Sequence, residues 1–127
     1  GGAGLSSTAK DYATFLQMYL NGGELNGKRI LSRTTIQSMM GNQNHKIWGE
    51  DAENFYAMAF GVITQRGADK GGNGSAGTFH WGGYFNTQYF ADPGENVIGI
   101  LMKQTQEETG DDTNWKFPVL VGQAVND

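Results

Sequence analysis

The chain has 127 residues, the size of one domain, and 38% of them are hydrophobic, a fraction typical of proteins that bury an apolar core. The formal net charge of −4 argues against nucleic acid as a partner, and the absence of cysteine from the sequence excludes disulfides and thiolate metal ligands but leaves the cellular compartment open. No apolar run approaches the roughly 20 residues of a membrane-spanning helix, so we expect no membrane span.

The first predicted element is a helix that begins near residue 8. Ser6, Ser7 or Thr8 can cap its N-terminus, and Gly22-Gly23 ends it. Apolar side chains recur at the spacing of one helical face, at Tyr12, Phe15, Leu16 and Tyr19.

A hairpin and a second helix are predicted next. Asn26-Gly27 is a typical two-residue hairpin turn, and Ser32 can cap a short helix that carries Ile36 and Met39. The following stretch, residues 41–54, has no hydrophobic period and is predicted to be a loop.

The second half of the chain has the composition of β-structure. Residues 55–65 are predicted to form one strand and the glycine-rich residues 66–77 a loop. Three further strands are expected within the segments TFHWGGY, NTQYFAD and NVIGILMKQ. A closing helix is expected over TNWKFPVLVGQAVND, with Pro118 in its first turn. The predicted fold class is therefore α+β, with an antiparallel sheet of about three to four strands and flanking helices mainly on one face.

Two short sequences in and next to the first predicted helix match active-site motifs of serine hydrolases. Ser7 and Lys10 form S-x-x-K, and Tyr19 and Asn21 form Y-x-N. On one straight helix, however, Tyr19 would lie about 18 Å beyond Ser7, whereas a nucleophile and its base must approach to roughly 3 Å. We therefore interpret Ser7 as a helix cap.

Two other patterns do not predict a binding site. Gly72, Gly74 and Gly77 match G-x-G-x-x-G, but a dinucleotide site needs that pattern to open a helix, and here a predicted strand follows. His45 and His80 lack metal-ligand spacing. We therefore expect neither a metal nor a cofactor.

One motif, Trp81-Gly82-Gly83, stands out in a predicted strand. Glycine weakens a strand interior and often marks a bulge or the close approach of a ligand. A bulge or strand-end turn packed by Trp81 and a ligand-contacting edge both remain open on the pattern alone.

The segments GGAGLSSTAKDYATFLQMYLNGGELNGKRILS and FHWGGYFNTQYFADPGENVIGILM resemble the C-terminal part of the serine β-lactamase-like hydrolases. This family includes class C β-lactamases, penicillin-binding-protein-like peptidases and family VIII carboxylesterases. The resemblance implies the C-terminal portion of the β-lactamase/transpeptidase-like fold, with residues 1–127 as a single domain or a fragment.

The resemblance also implies an active-site wall. His80, Trp81, Gly82, Gly83 and Tyr84 would line the substrate pocket, because Trp81-Gly82-Gly83 is similar to the W-G-G form of the family's K-T-G motif. In that register the Tyr84 N–H would enter the oxyanion hole. If His80-Trp81-Gly82 takes the motif positions instead, the donor would be the Gly83 N–H.

The same resemblance implies that no catalytic residue lies in this chain. In the family, the catalytic S-x-x-K and Y-x-N precede the segment that is similar to residues 1–12. The chain alone would then be inactive, and its partner would be the missing N-terminal part of a parent hydrolase or a second copy. In the parent, the substrate would be a small-molecule ester or amide. The alternative is a non-catalytic interaction domain that binds a partner or itself through an exposed sheet edge.

Overall fold

The computed structural model describes residues 4–71, 73–106 and 111–125. The helices are α1 (Ala9–Leu20), α2 (Arg33–Met40), α3 (His45–Trp48), α4 (Gln65–Asp69) and α5 (Thr113–Ala124). The strands are β1 (Glu24–Leu25), β2 (Lys28–Arg29), β3 (Asn54–Tyr56), β4 (Gly61–Ile63), β5 (Phe79–Gly82), β6 (Gln88–Asp92) and β7 (Val97–Leu101). The predicted α+β class is confirmed.

Helix α1 begins where its sequence predicts, but its cap is Thr8 and not Ser7, so the interpretation of Ser7 as the cap was wrong. The Thr8 side chain accepts a hydrogen bond from the Asp11 N–H at 3.1 Å, which satisfies one of the unpaired donors of the first turn. Leu16 and Tyr19 are buried, whereas Phe15 of the predicted stripe is 41% exposed. The helix therefore packs on one face, but that face includes Met18, which lies outside the predicted stripe, and leaves out Phe15.

The predicted hairpin and second helix are also present. β1 pairs antiparallel with β2, and Asn26 and Gly27 both have positive φ, as a type I′ turn requires. Ser32 caps α2 by accepting a hydrogen bond from the Thr35 N–H at 3.0 Å.

The main sheet has five antiparallel strands in the order β3-β4-β5-β6-β7, one more than the three to four expected. The difference comes from residues 55–65, which were predicted as one strand but fold back on themselves. Tyr56 pairs with Gly61, and the Ala57 N–H donates to the Phe60 carbonyl at 2.8 Å. The sequence does not indicate this turn, because residues 55–60 form an uninterrupted apolar run.

Helices lie on both faces of the sheet, whereas the sequence predicted them mainly on one face. Tyr89 of β6 contacts Tyr12 of α1, with ring centroids 4.8 Å apart. Its neighbour Phe90 contacts Phe117 of α5 at 5.9 Å. Because successive strand residues point to opposite faces, α1 and α5 pack against opposite sides of β6.

Two predicted loops contain short helices. α3 lies within residues 41–54, and α4 occupies the start of the glycine-rich segment, where Thr64 accepts a hydrogen bond from the Gly67 N–H at 3.0 Å. Gly72 of the G-x-G-x-x-G pattern lies outside the described residues. The cap at Thr64 was available in the sequence and was missed because glycine dominated the segment.

The closing helix is confirmed, but the place of Pro118 was wrong. Pro118 is the sixth residue of α5 instead of lying in the first turn. The helix begins at Thr113, as its predicted span does, and the Asp111 carboxylate accepts a hydrogen bond from the Thr113 N–H at 3.1 Å. Asp111 also forms an ion pair with Lys103, which lies two residues beyond the end of β7.

Candidate functional site

The residues predicted to form an active-site wall line one cavity of about 970 Å³. The cavity lies where the end of β5 meets the segment around α4 and the first half of α5. His80, Trp81, Gly82, Gly83 and Tyr84 all contribute to its wall. The fold thus brings this contiguous motif together with residues from distant parts of the chain, namely Glu53, Lys70, Asn114 and Trp115.

At this wall, the end of β5 has a strand partner on one side only among the described residues. β5 pairs with β6 as far as Gly82, but with β4 only as far as His80. Successive residues of an antiparallel strand direct their N–H and C=O groups alternately to the two neighbouring strands. The Gly83 N–H donates to the Thr87 carbonyl on the β6 side at 2.8 Å. Gly82 therefore directs its backbone groups to the opposite side, beyond the end of β4.

Tyr84 lies in the tight turn that comes directly after this end of β5. The Asn86 N–H donates to the Gly83 carbonyl at 3.0 Å, so Tyr84 is the second residue of a four-residue turn. Among the described residues, no backbone carbonyl accepts a hydrogen bond from the Tyr84 N–H. Of the two donors that the resemblance implies, the Gly83 N–H is used within the hairpin and the Tyr84 N–H is not.

The packing of the described residues does not explain why positions 82 and 83 are glycine. A Cβ added at Gly82 would lie 3.5 Å from its nearest neighbour, and one added at Gly83 would lie 3.8 Å away, both ordinary contact distances. Neither residue has the positive φ that favours glycine. At Gly99, by contrast, an added Cβ would collide with the Phe90 ring.

His80 is a neutral group on the cavity wall. Burial disfavours the charged imidazolium and so lowers its pKa below the ordinary value of 6.5. The ring lies over Gly61, where an added Cβ would be 3.0 Å from the His80 Cε1 atom. At neutral pH His80 can therefore accept or donate a hydrogen bond, but it contributes no positive charge.

A polar network behind the turn was not predicted from the sequence. The Asn86 side chain donates to the Thr105 hydroxyl and to the Gln106 carbonyl, both at 3.3 Å, and accepts from the Asn114 amide at 3.4 Å. Asn86 also has a φ of 63°, a conformation that asparagine tolerates better than most residues. A turn asparagine is visible in the sequence, but its contact 28 residues away in α5 is not.

The S-x-x-K and Y-x-N motifs in and around α1 do not form a site. Ser7 and Lys10 are exposed, and the Ser7 hydroxyl donates to the Thr8 carbonyl at 3.3 Å. Tyr19 is a core residue whose hydroxyl lies 3.8 Å from the Met39 sulfur, and burial raises its pKa. None of the three belongs to the wall of the cavity.

Within residues 4–71, 73–106 and 111–125, no cluster of three or more His, Asp or Glu side chains could hold a metal ion. In the same ranges, no helix combines the length and the apolar character that crossing a membrane requires.

Comparison with known proteins identifies the family. Residues 1–123 match the model of the Beta-lactamase family. The chain belongs to the β-lactamase family. The curated relatives of this β-lactamase-family chain include Protein Rv1367c and Uncharacterized protein MT1414, from two strains of Mycobacterium tuberculosis. Each is 32% identical over 115 residues, which is 81% of this chain and 28% of the relative.

The fold agrees with this assignment. A crystal structure of a candidate β-lactamase from Bacteroides dorei DSM 17855 superposes with a TM-score of 0.66 at 20% sequence identity. The match covers 93% of this chain and 39% of that structure. The chain therefore spans between about a quarter and two fifths of the proteins that it matches.

Proposed function

We propose that this chain supplies the oxyanion-binding wall of a β-lactamase-like serine hydrolase that cleaves an ester or amide through an acyl-enzyme. The observation that carries the proposal is the Tyr84 N–H, which follows the unpaired edge of β5 and has no backbone acceptor among the described residues. A fixed N–H aimed at the developing negative charge of a tetrahedral intermediate is worth about 3–4 kcal/mol. Gly82 and Gly83 support this role, since they leave room for a substrate beside the strand.

We propose that the nucleophile and its base lie in polypeptide outside this chain. Ser7 and Lys10 lie away from the cavity wall, and Tyr19 is buried in the core. Residues 1–127 alone should therefore not hydrolyse p-nitrophenyl esters or nitrocefin above background, because an oxyanion donor without a nucleophile forms no acyl-enzyme.

The test compares residues 1–127 with the complete reading frame that contains them. We expect the longer protein to hydrolyse a p-nitrophenyl ester or nitrocefin and the shorter one to be inactive. Turnover by residues 1–127 that disappears in Ser7→Ala would overturn the division of roles. A complete reading frame that adds no S-x-x-K and shows no turnover would favour the non-catalytic interaction domain.

The oxyanion role is tested by Tyr84→Pro in the longer protein. Proline removes the N–H and is favoured at the second position of a type I or II turn, so the turn should survive. We expect kcat to fall about 100-fold or more. Tyr84→Ala is the matched control, because it removes the side chain but keeps the N–H. Equal activity of the two variants would contradict the proposal.

A further inference from the structure

The two edge strands of the main sheet differ in length and composition. β3 has three residues and begins with the exposed Asn54, and short polar strands are typical of the edges that natural proteins leave open. β7 has five residues, none of them polar, and pairs with β6 without a bulge. A continuous apolar run is typical of a strand inside a sheet, yet among the described residues β6 is the only strand that pairs with β7. The composition of β7 therefore suits a second neighbour.

The direction of the backbone groups of β7 follows from the pairing of β6. The Gly83 N–H donates to the Thr87 carbonyl, so Thr87 directs its backbone groups to the β5 side. Because this direction alternates along an antiparallel strand, Phe90, three residues further on, directs its groups to β7. Its partner there is Gly99, which therefore directs its own groups back to β6.

Ile98 and Ile100, on either side of Gly99, consequently direct their N–H and C=O groups away from the sheet. Beyond the strand pairing, no backbone hydrogen bond of the described residues involves either isoleucine. Their side chains pack against the hydrophobic core, which holds this part of the backbone in place. The outer edge of β7 thus presents donors and acceptors in a fixed, extended arrangement.

The sequence of β7 is complementary to itself in the antiparallel direction. VIGIL reads almost the same in both directions about Gly99. If two copies pair with Gly99 opposite Gly99, Ile98 of each copy lies opposite Ile100 of the other, and the two residues exchange both hydrogen bonds. Gly99 then occupies the closest pair, with Cα atoms about 4.5 Å apart, where the missing side chain avoids crowding.

The charges beyond the ends of β7 favour the same direction of pairing. Glu95 lies two residues before the strand and Lys103 two residues after it. An antiparallel second copy brings the Glu95 end of one strand to the Lys103 end of the other, whereas a parallel copy would align like charges. Because Lys103 already forms an ion pair with Asp111, this attraction selects the direction and the hydrogen bonds hold the strands together.

We propose that two copies of this chain pair through β7 and form one continuous antiparallel sheet. The two-fold axis is perpendicular to the sheet, so the two copies of α1 lie on one face and the two copies of α5 on the other. This arrangement gives partners to the outward groups of Ile98 and Ile100. The inference concerns residues 1–127 and does not rest on the proposed function.

Amide exchange tests the place of the interface in the native chain. Sedimentation velocity first gives the concentrations at which residues 1–127 are dimeric and monomeric. In hydrogen–deuterium exchange detected by NMR, the Ile98 and Ile100 amides should exchange about ten-fold faster in the monomer than in the dimer. The Gly99 amide is the internal control, because it is directed to β6 and should not respond to dilution. A dimer in which the Ile98 and Ile100 amides also do not respond would overturn the proposal.

Two substitutions at Ile98 test the hydrogen bonds themselves. Ile98→Pro removes an outward N–H from each copy, and proline is tolerated where an edge N–H does not pair within the sheet. Ile98→Ala is the matched control, since it also shortens the side chain but keeps the N–H. We expect Ile98→Pro to weaken the dimer about ten-fold relative to Ile98→Ala. Equal dissociation constants would contradict the proposal, and the exchange experiment on the native chain still decides if the proline variant does not fold.

The longer protein distinguishes a second copy from another strand of the same polypeptide. If residues 1–127 stay monomeric at every concentration, the proposal is overturned. Protection of the Ile98 and Ile100 amides in the longer protein alone would then assign the edge to a strand outside this chain. A dimer of residues 1–127 with concentration-dependent protection at both amides supports the proposal, whether or not the longer protein hydrolyses an ester.

Discussion

At the scale of single residues, the glycines of β5 and of β7 differ in what surrounds them. Gly99 is fixed by the Phe90 ring, which occupies the space of a side chain. Gly82 and Gly83 face ordinary contact distances. The fold therefore requires the first glycine, and a ligand is the stronger reason for the other two.

Alanine substitution separates these two cases. Gly82→Ala should change the free energy of unfolding by less than about 1 kcal/mol, whereas Gly99→Ala should lower it by about 1–3 kcal/mol, because the added methyl group overpacks the core. Urea denaturation followed by circular dichroism measures both values. A loss at Gly82 as large as that at Gly99 would show that the fold itself needs glycine there.

His80 should make stability depend on pH. Its folded-state pKa lies below the ordinary value of 6.5, so on acidification the unfolded chain takes up a proton before the folded chain does. The free energy of unfolding therefore falls as the pH drops below about 6.5 and keeps falling until the folded-state pKa is passed.

The measurement is urea denaturation at pH 8 and pH 5.5 for the native chain and for His80→Gln. We expect the loss of stability on acidification to be smaller in His80→Gln. His45→Gln is the control, because His45 is exposed on α3. An equal pH dependence in all three proteins would assign the effect to other groups.

At the scale of elements, the buried carboxylate of Asp92 joins the end of β6 to the glycine-rich segment. Asp92 is 3% exposed and accepts hydrogen bonds from the N–H groups of Ser75 and Gly94, both at 2.8 Å. Burial alone would raise its pKa, but the hydrogen bonds from Ser75, Glu95 and Gly94 together lower it. One charge thus satisfies several loop donors.

Asp92→Asn should destabilise the chain by about 2 kcal/mol, because charge-assisted hydrogen bonds are lost and the amide cannot accept as many donors. Glu95→Gln is the control, because Glu95 is a nearby exposed carboxylate. We expect it to change the free energy of unfolding by no more than about 0.5 kcal/mol. Thermal unfolding of the two variants side by side checks the difference. Similar melting temperatures would mean that the segment does not depend on this carboxylate.

The sequence predicted elements well where local chemistry decides them. The cap at Ser32 and the Asn26-Gly27 turn are local, and both were placed correctly, whereas Thr8 was one of three candidate caps for α1. The turn within residues 57–60 was missed, since it depends on pairing between β3 and β4 and carries no typical turn residue.

The candidate site also has one part that the sequence predicted and one part that it did not. A family resemblance singled out the contiguous residues 80–84, and the fold places them on one wall. Glu53, Lys70 and Asn114 reach that wall from segments that only the tertiary structure brings together. No local pattern could have assigned them to it.

At the scale of the whole molecule, the described surface carries large apolar side chains that a monomer usually buries. Those on α5 are Trp115, Val119 and Leu120, at 59%, 36% and 61% exposure, and none of the α5 residues is buried. Contiguous apolar patches above a few hundred Å² are rare on soluble monomers. The strand order also leaves β3 at one edge of the sheet, where unpaired backbone groups can template further pairing.

We expect residues 1–127 to self-associate, and a two-fold dimer is the simplest closed arrangement. Sedimentation velocity over a concentration series should show a rising weight-average coefficient, with binding of a dye that reports exposed apolar surface. Leu120→Lys should reduce the association, whereas Lys28→Glu in the exposed hairpin should not. A strictly monomeric chain that binds no dye would show that the segment covers its own core.

The proline inside α5 has a consequence for how fast this helix opens. Pro118 has no N–H, so the Asn114 carbonyl four residues earlier lacks its helical donor. Because no α5 residue is buried, little packing holds together the two halves of the helix on either side of Pro118. In hydrogen–deuterium exchange, the amides of α5 should therefore exchange orders of magnitude faster than those of β6, and the rates should slow when another polypeptide covers the helix.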